Sequence, residues 1–125
     1  MINKKNRLNK KKIFGLELLL NLYDCDLKIM KSKRKLLEFL MKLCRVIKMN
    51  ICGKPIIRRT GKAHLYGYSL VQFIETSSIT IHTCDPIREI YLDLFSCKEF
   101  NPKIVINFTK KFFKARKIKK IVLTR

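Results

Sequence analysis

No apolar run in this 125-residue chain approaches the ~20 residues that a membrane-crossing helix needs; the longest, "LELLLNLY", is short and interrupted. The basic opening "MINKKNRLNKKK" is not followed by an apolar segment adequate for a secretory signal. A cytoplasmic protein without membrane contact is the expectation. Cysteine is present at five positions, Cys25, Cys44, Cys52, Cys84 and Cys97, but without a Cys-x-x-Cys pair or a Cys/His cluster at zinc spacing. No metal site is therefore expected. An odd count with no signal points to reduced thiols, most of them packing as small hydrophobes. Acidic residues are scarce, nine against 29 basic ones, for a net charge of +20. Loose, salt-sensitive adhesion to polyanions follows from that charge. No aromatic-interleaved RNA-binding signature or zinc finger accompanies it. The abundance of Lys, Ile and Asn also reads as the codon bias of an AT-rich genome. Finally, no Gly-x-Ser-x-Gly elbow is present, and no carboxylate stands in an obvious orienting role, so a serine-hydrolase triad has little support.

What is there suits one compact domain. Residues 1–12 read as a solvated basic arm and residues 13–125 as the domain. "KIFGLELLLNLYDC" (12–25) reads as a buried strand entering a turn. Residues 33–48 place Leu36, Leu37, Leu40, Leu43, Cys44 and Ile47 on one helical stripe. A short strand lies within "GKPIIRRTGKA" (53–63). Three alternating segments follow: "YSLVQFIE" (68–75), "ITIHTC" (79–84) and "REIYLDLFSC" (88–97). Asn101 and Pro102 open a second helix as N-cap and first residue, with Ile104, Val105, Phe108, Phe112 and Ala115 as its stripe. "KIKKIVLTR" closes with a strand. The order β-α-β-β-β-β-α-β predicts an α+β two-layer sandwich: a largely antiparallel sheet with two main helices on one face. The bare sheet face then calls for a second subunit.

The stretch "ETSSITIHTCDP" (75–86) alternates like a strand yet is crowded with hydroxyls, and it carries one of only two histidines. Ser69, Ser77, His82 and Cys97 lie on or beside three consecutive strands. A hydroxyl, an imidazole and a thiol together are the inventory of acyl chemistry.

"TSSITIHT" resembles the core motif of the prokaryotic S-adenosylmethionine decarboxylases, small pyruvoyl enzymes. That motif reads Glu or Lys, Ser, His, Ile, Ser or Thr, Ile or Val, His, Thr, Trp or Tyr, Pro, Glu. "GLELLLNLYDCD" is similar to the family's opening strand and Gly-Cys-Asp turn, "YSLVQFIE" to the strand before its cleavage site, and "IYLDLFSC" to its Val-Asp-Val/Leu-Phe-Ser/Thr-Cys. The separations of Ser69, Ser77, His82 and Cys97 match the family's without a gap. The resemblance implies a proenzyme that cuts itself between Thr76 and Ser77. Ser77 Oγ would attack the Thr76 carbonyl to form an ester. Proton abstraction at the Ser77 Cα, helped by His82, would eliminate that ester. Loss of ammonia would leave a pyruvoyl group, and Ser69 would assist processing. The pyruvoyl would hold the substrate amine as a Schiff base and accept the electrons released with carbon dioxide, and Cys97 would return the proton. It also implies a homodimer, with a small amino-acid substrate and a place in polyamine biosynthesis.

Three departures bear on the substrate. Thr76 and Ser78 replace the residues that normally flank the serine. "HTCDP" puts Pro86 where the ribose-binding glutamate would stand, with Asp85 one residue early. "AHLYGYS" has Ala63 where a ring beside the sulfonium is expected, leaving Tyr66 and Tyr68 as substitutes. The substrate-binding candidates are thus Tyr66, Tyr68 and Asp85. Decarboxylation of arginine or ornithine by the same chemistry stays open, as does a non-catalytic basic homologue that binds nucleic acid or a partner subunit.

Overall fold

The computed structural model describes residues 14–125. The basic arm at 1–12 lies outside the described residues. Six strands form one sheet in the order β2-β3-β4-β5-β1-β6. They are β1 (Leu16–Tyr23), β2 (Ile56–Thr60), β3 (Gly67–Ile74), β4 (Ser77–Cys84), β5 (Glu89–Ser96) and β6 (Lys117–Thr124). Every neighbouring pair is antiparallel. Three helices accompany them: α1 (Leu27–Met30), α2 (Lys33–Val46) and α3 (Pro102–Phe113). The expected α+β architecture is the one observed.

Alternation decides which sheet face is covered. On β1, Leu18, Leu20 and Leu22 are fully buried under the helices, and so are Leu70, Ile79, Ile81, Ile90 and Leu94 from β3, β4 and β5. Burying each such side chain contributes about 1.5–3 kcal/mol. The helices close this layer through Phe39 of α2, whose ring lies 4.7–5.6 Å from those of Phe108, Phe112 and Phe113.

Two sequence expectations shift. The α3 stripe is rotated: Val105, Ile106, Thr109 and Phe113 are buried, whereas Ile104 is 47% exposed and Phe108 and Phe112 are only partly covered. Phe39 packs against rings on both rows, Phe108 and Phe112 of the expected stripe and Phe113 of the buried one. The extra helix α1 was not anticipated. Asp26 caps it by accepting from the Ile29 N–H at 3.2 Å.

Among the described residues no helix covers the other sheet face. Ile56, Phe73, Tyr91, Ile121 and Leu123 point out of it, each between 37% and 53% exposed. Among the described residues no helix is long and apolar enough to cross a membrane.

Candidate active site

Ser77 begins β4, directly after a two-residue turn, Glu75–Thr76, that joins it to β3. Such tight hairpins demand positive φ and usually recruit glycine or asparagine. Here Thr76 takes the role with φ 61°. A β-branched residue in this region is strained, at a cost of order 1–3 kcal/mol. The strain sits on the residue that contributes the carbonyl of the 76–77 bond.

Both partners of that bond are held by the end of β5. Ser77 pairs with Ser96 across the ladder, and the Ser77 hydroxyl donates to Ser96 Oγ at 2.9 Å. One residue on, the Cys97 N–H donates to the Thr76 carbonyl oxygen at 3.4 Å. That contact polarises the carbonyl and is placed to receive charge if the oxygen becomes an oxyanion. The backbone of residues 96–97 is itself backed by Gly15, where any Cβ would come within 2.3 Å of the Ser96 carbonyl oxygen. Ser96 stands at the Ser/Thr position of the motif resembled by "IYLDLFSC", but was given no role from the sequence. Only the register of β4 on β5 brings it to Ser77.

Ser69 and His82 form a second group. They are cross-strand partners, and Ser69 Oγ lies 2.9 Å from His82 Nδ1, with Thr60 Oγ1 3.0 Å from the same hydroxyl. This group is on the bare face. A hollow of about 420 Å³ beside it is lined by Thr80, His82, Tyr91, Asp93, Asn21 and Lys119, among others. Burial, a hydrogen bond that the protonated Asp93 carboxyl donates to Glu17, and the Glu17 charge together push the Asp93 carboxyl up to about 6, with Arg125 opposing.

The two groups do not meet within one chain. Ser77 faces the helix layer and His82 the bare face, and five residues at ~3.3 Å each put them roughly 17 Å apart along β4. The expected help from His82 at the Ser77 Cα is therefore not available from the same copy, because a hydrogen bond spans only about 3 Å. Cys97, by contrast, is beside the 76–77 bond and partly accessible.

The three substrate-binding candidates are gathered elsewhere, around Arg59. The Arg59 guanidinium lies 4.5 Å from the ring centres of both Tyr66 and Tyr68, and its Nε donates to the Tyr66 hydroxyl at 2.9 Å. Asp85 is 5% exposed. One of its oxygens pairs with Arg59 at 2.8 Å, and the other accepts from the Thr83 hydroxyl at 2.9 Å. Within the chain these residues clamp β2 to the turn after β4, and each Asp85 oxygen already holds one partner.

A family model described as S-adenosylmethionine decarboxylase matches residues 16–125. The chain belongs to that family. Among curated S-adenosylmethionine decarboxylase proenzymes, the Clostridium botulinum protein is 31% identical over 114 residues, covering 89% of this chain and 95% of its own. The Methanococcus aeolicus proenzyme is 30% identical over 116 residues, covering 91% and 95%. A crystal structure of the adenosylmethionine decarboxylase from Aquifex aeolicus superposes with a TM-score of 0.78 at 18% identity, covering 90% of this chain and 91% of that one. It has the same fold.

Proposed function

We propose that the chain is the proenzyme of a pyruvoyl-dependent S-adenosylmethionine decarboxylase that cuts itself between Thr76 and Ser77. The observation that carries this is the geometry of the hairpin. A hydroxyl stands next to a carbonyl that already accepts a hydrogen bond, on a residue strained at φ 61°. Converting the amide to an ester relaxes the constraint on Thr76, and the Cys97 N–H stabilises the oxygen while it carries charge. Ser77 fits the pyruvoyl precursor role because it heads a strand, so the group made from it stays fixed by the β4 ladder. When formed, a pyruvoyl supplies the carbonyl that engages a substrate amine and draws off the electrons released with carbon dioxide. Cys97 is the nearest candidate to hold and return a proton there.

The remaining requirement is an imidazole near the Ser77 Cα. A second copy meets it. The bare sheet face, with Phe73, Ile56 and Ile121 half exposed, is the kind of surface that two copies bury against each other. Pairing through it carries His82 and Ser69 of one copy toward the Thr76–Ser77 end of the other. The homodimer is thus part of the site.

A narrower reading concerns the substrate. Because Asp85 is committed to Arg59 and Thr83, the nucleoside end of the substrate has few contacts in this chain, which favours testing arginine and ornithine beside S-adenosylmethionine. Intact mass spectrometry of the denatured wild type and of Ser77→Ala tests self-cleavage. Fragments 1–76 and 77–125 in the wild type alone, with the second lacking its N-terminal amine, are expected. An uncut wild type refutes the proposal. Carbon dioxide release from the three substrates then assigns the activity.

A further inference from the structure

We infer that Ser96 is a positioning residue for self-cleavage: it accepts a hydrogen bond from the Ser77 hydroxyl and so turns the Ser77 lone pairs toward the Thr76 carbonyl. The inference deepens the self-cleavage reading and rests on it.

The argument is a count of protons and lone pairs. A hydroxyl has one proton to give and two lone pairs to receive with. Ser96 is fully buried. Its hydroxyl donates to the Lys98 carbonyl at 2.6 Å, the shortest contact it makes. Met49 Sδ, at 3.6 Å, is the weaker acceptor for the same proton. Ser96 Oγ also accepts from the Lys98 N–H at 2.9 Å. One lone pair is left, and among the described residues the group facing it is the Ser77 hydroxyl at 2.9 Å. The sense of that bond is therefore fixed. Ser77 must donate, and its proton is directed away from the scissile bond. Both Ser77 lone pairs stay free, and donation makes the oxygen more electron-rich.

The next residue handles the other reactant, because the Cys97 N–H holds the Thr76 oxygen. Successive residues at the end of β5 thus fix the nucleophile and the electrophile. The step itself balances within the chain. A bond forms between Ser77 Oγ and the Thr76 carbonyl carbon, the bond from that carbon to the Ser77 nitrogen breaks, and the hydroxyl proton ends on the freed amine. No oxidant or co-reactant is needed. Ser96 touches the nucleophile but exchanges no atom with the reaction.

The test follows newly made full-length chain by intact mass, with and without hydroxylamine, which cuts the ester but not the amide. Ser96→Ala should slow loss of the uncut amide roughly five- to tenfold, the rate equivalent of one neutral hydrogen bond, without raising the hydroxylamine-sensitive fraction. Ser96→Thr, which keeps a hydroxyl, should restore most of the rate. A merely structural role predicts no rescue that follows the hydroxyl. Cleavage of Ser96→Ala at the wild-type rate overturns the inference. So does Ser96→Thr as slow as Ser96→Ala, and so does ester build-up in Ser96→Ala, which would put Ser96 in the later elimination. If the wild type itself stays uncut, the self-cleavage reading fails first, and that is visible without any Ser96 variant.

Discussion

Co-expressing two dead variants should restore cleavage of one of them. His82 and the Ser77 Cα are roughly 17 Å apart along β4, on opposite faces of the sheet. No side-chain rotation closes such a gap. If a second copy supplies the imidazole, a pair made of one Ser77→Ala chain and one His82→Ala chain contains one wholly intact site: Ser77 from the second chain and His82 from the first. The other site lacks both groups. Random pairing of equal amounts makes about half of the pairs mixed, so about half of the His82→Ala chains should be cut. Alone, His82→Ala should be slowed on the order of 10²–10⁴-fold, the usual worth of a positioned general base, and Ser77→Ala should never be cut. The two chains differ in mass, so denaturing mass spectrometry shows which one is cleaved. A His82→Ala chain cut no faster with its partner than without it would refute the shared site, and with it the role given to the bare sheet face.

Three further outcomes follow from the same geometry. Thr76→Gly should stabilise the uncut chain, measured by urea unfolding in a Ser77→Ala background, by about 1 kcal/mol. That is the relief of left-handed strain less the extra entropy of glycine; the same change should slow cleavage of the otherwise wild-type chain. Cys97→Ala should still yield fragments 1–76 and 77–125, because its backbone N–H is retained, but carbon dioxide release per cut chain should fall at least tenfold if the thiol returns the proton. Asp93→Asn should flatten the dependence of stability on pH. The Asp93 carboxyl is raised from 3.8 to about 6, so the folded chain holds its proton more tightly than the unfolded one. Stability from this group is full below about pH 4 and is lost as pH rises through 6. At pH 7 the variant should therefore unfold at higher urea, by about 1 kcal/mol once partial wetting is allowed for.

The fold was legible because its strands alternate cleanly. Leu18, Leu20 and Leu22 on β1, and Ile90, Leu92 and Leu94 on β5, declare one buried face in the sequence and are buried in the structure. The α3 stripe was misread because the helix has adjacent apolar rows, Ile104, Phe108 and Phe112 beside Val105 and Phe113, and periodicity alone does not choose the more deeply buried one. The site was legible only as a set of residue types. The register of β3 on β4 put Ser69 beside His82, but alternation put Ser77 and His82 on opposite faces, an odd number of positions apart. Clustering along the chain concealed that. Ser96 lay within a quoted motif, but its role was not legible because it depends on the register Ser77↔Ser96, and no local pattern states a register. Asp85 looked like a displaced ribose ligand. Its partner Arg59 is 26 residues away, beyond the reach of any local motif.

A sheet cut at its own hairpin must also hold together afterwards, and the strand order provides for it. β4 is interior, with six partners on β3 and eight on β5. The bond between Thr76 and Ser77 lies at the very end of the ladders, so cleavage touches only the Ser77 rung and leaves the other pairs with β3 and β5 in place. The fragments are also interleaved. β1, from residues 1–76, sits between β5 and β6, which both belong to residues 77–125. α2 from the first fragment meets α3 from the second through the Phe39 ring cluster. Pulling the fragments apart would expose the whole buried layer, at about 25 cal/mol for every Å² of apolar surface. The cut protein should therefore migrate as one species in native gel filtration and lose both fragments in a single urea transition. Separation of the two fragments under native conditions would mean that the cut opens the sheet, and the proposed site could not survive its own formation.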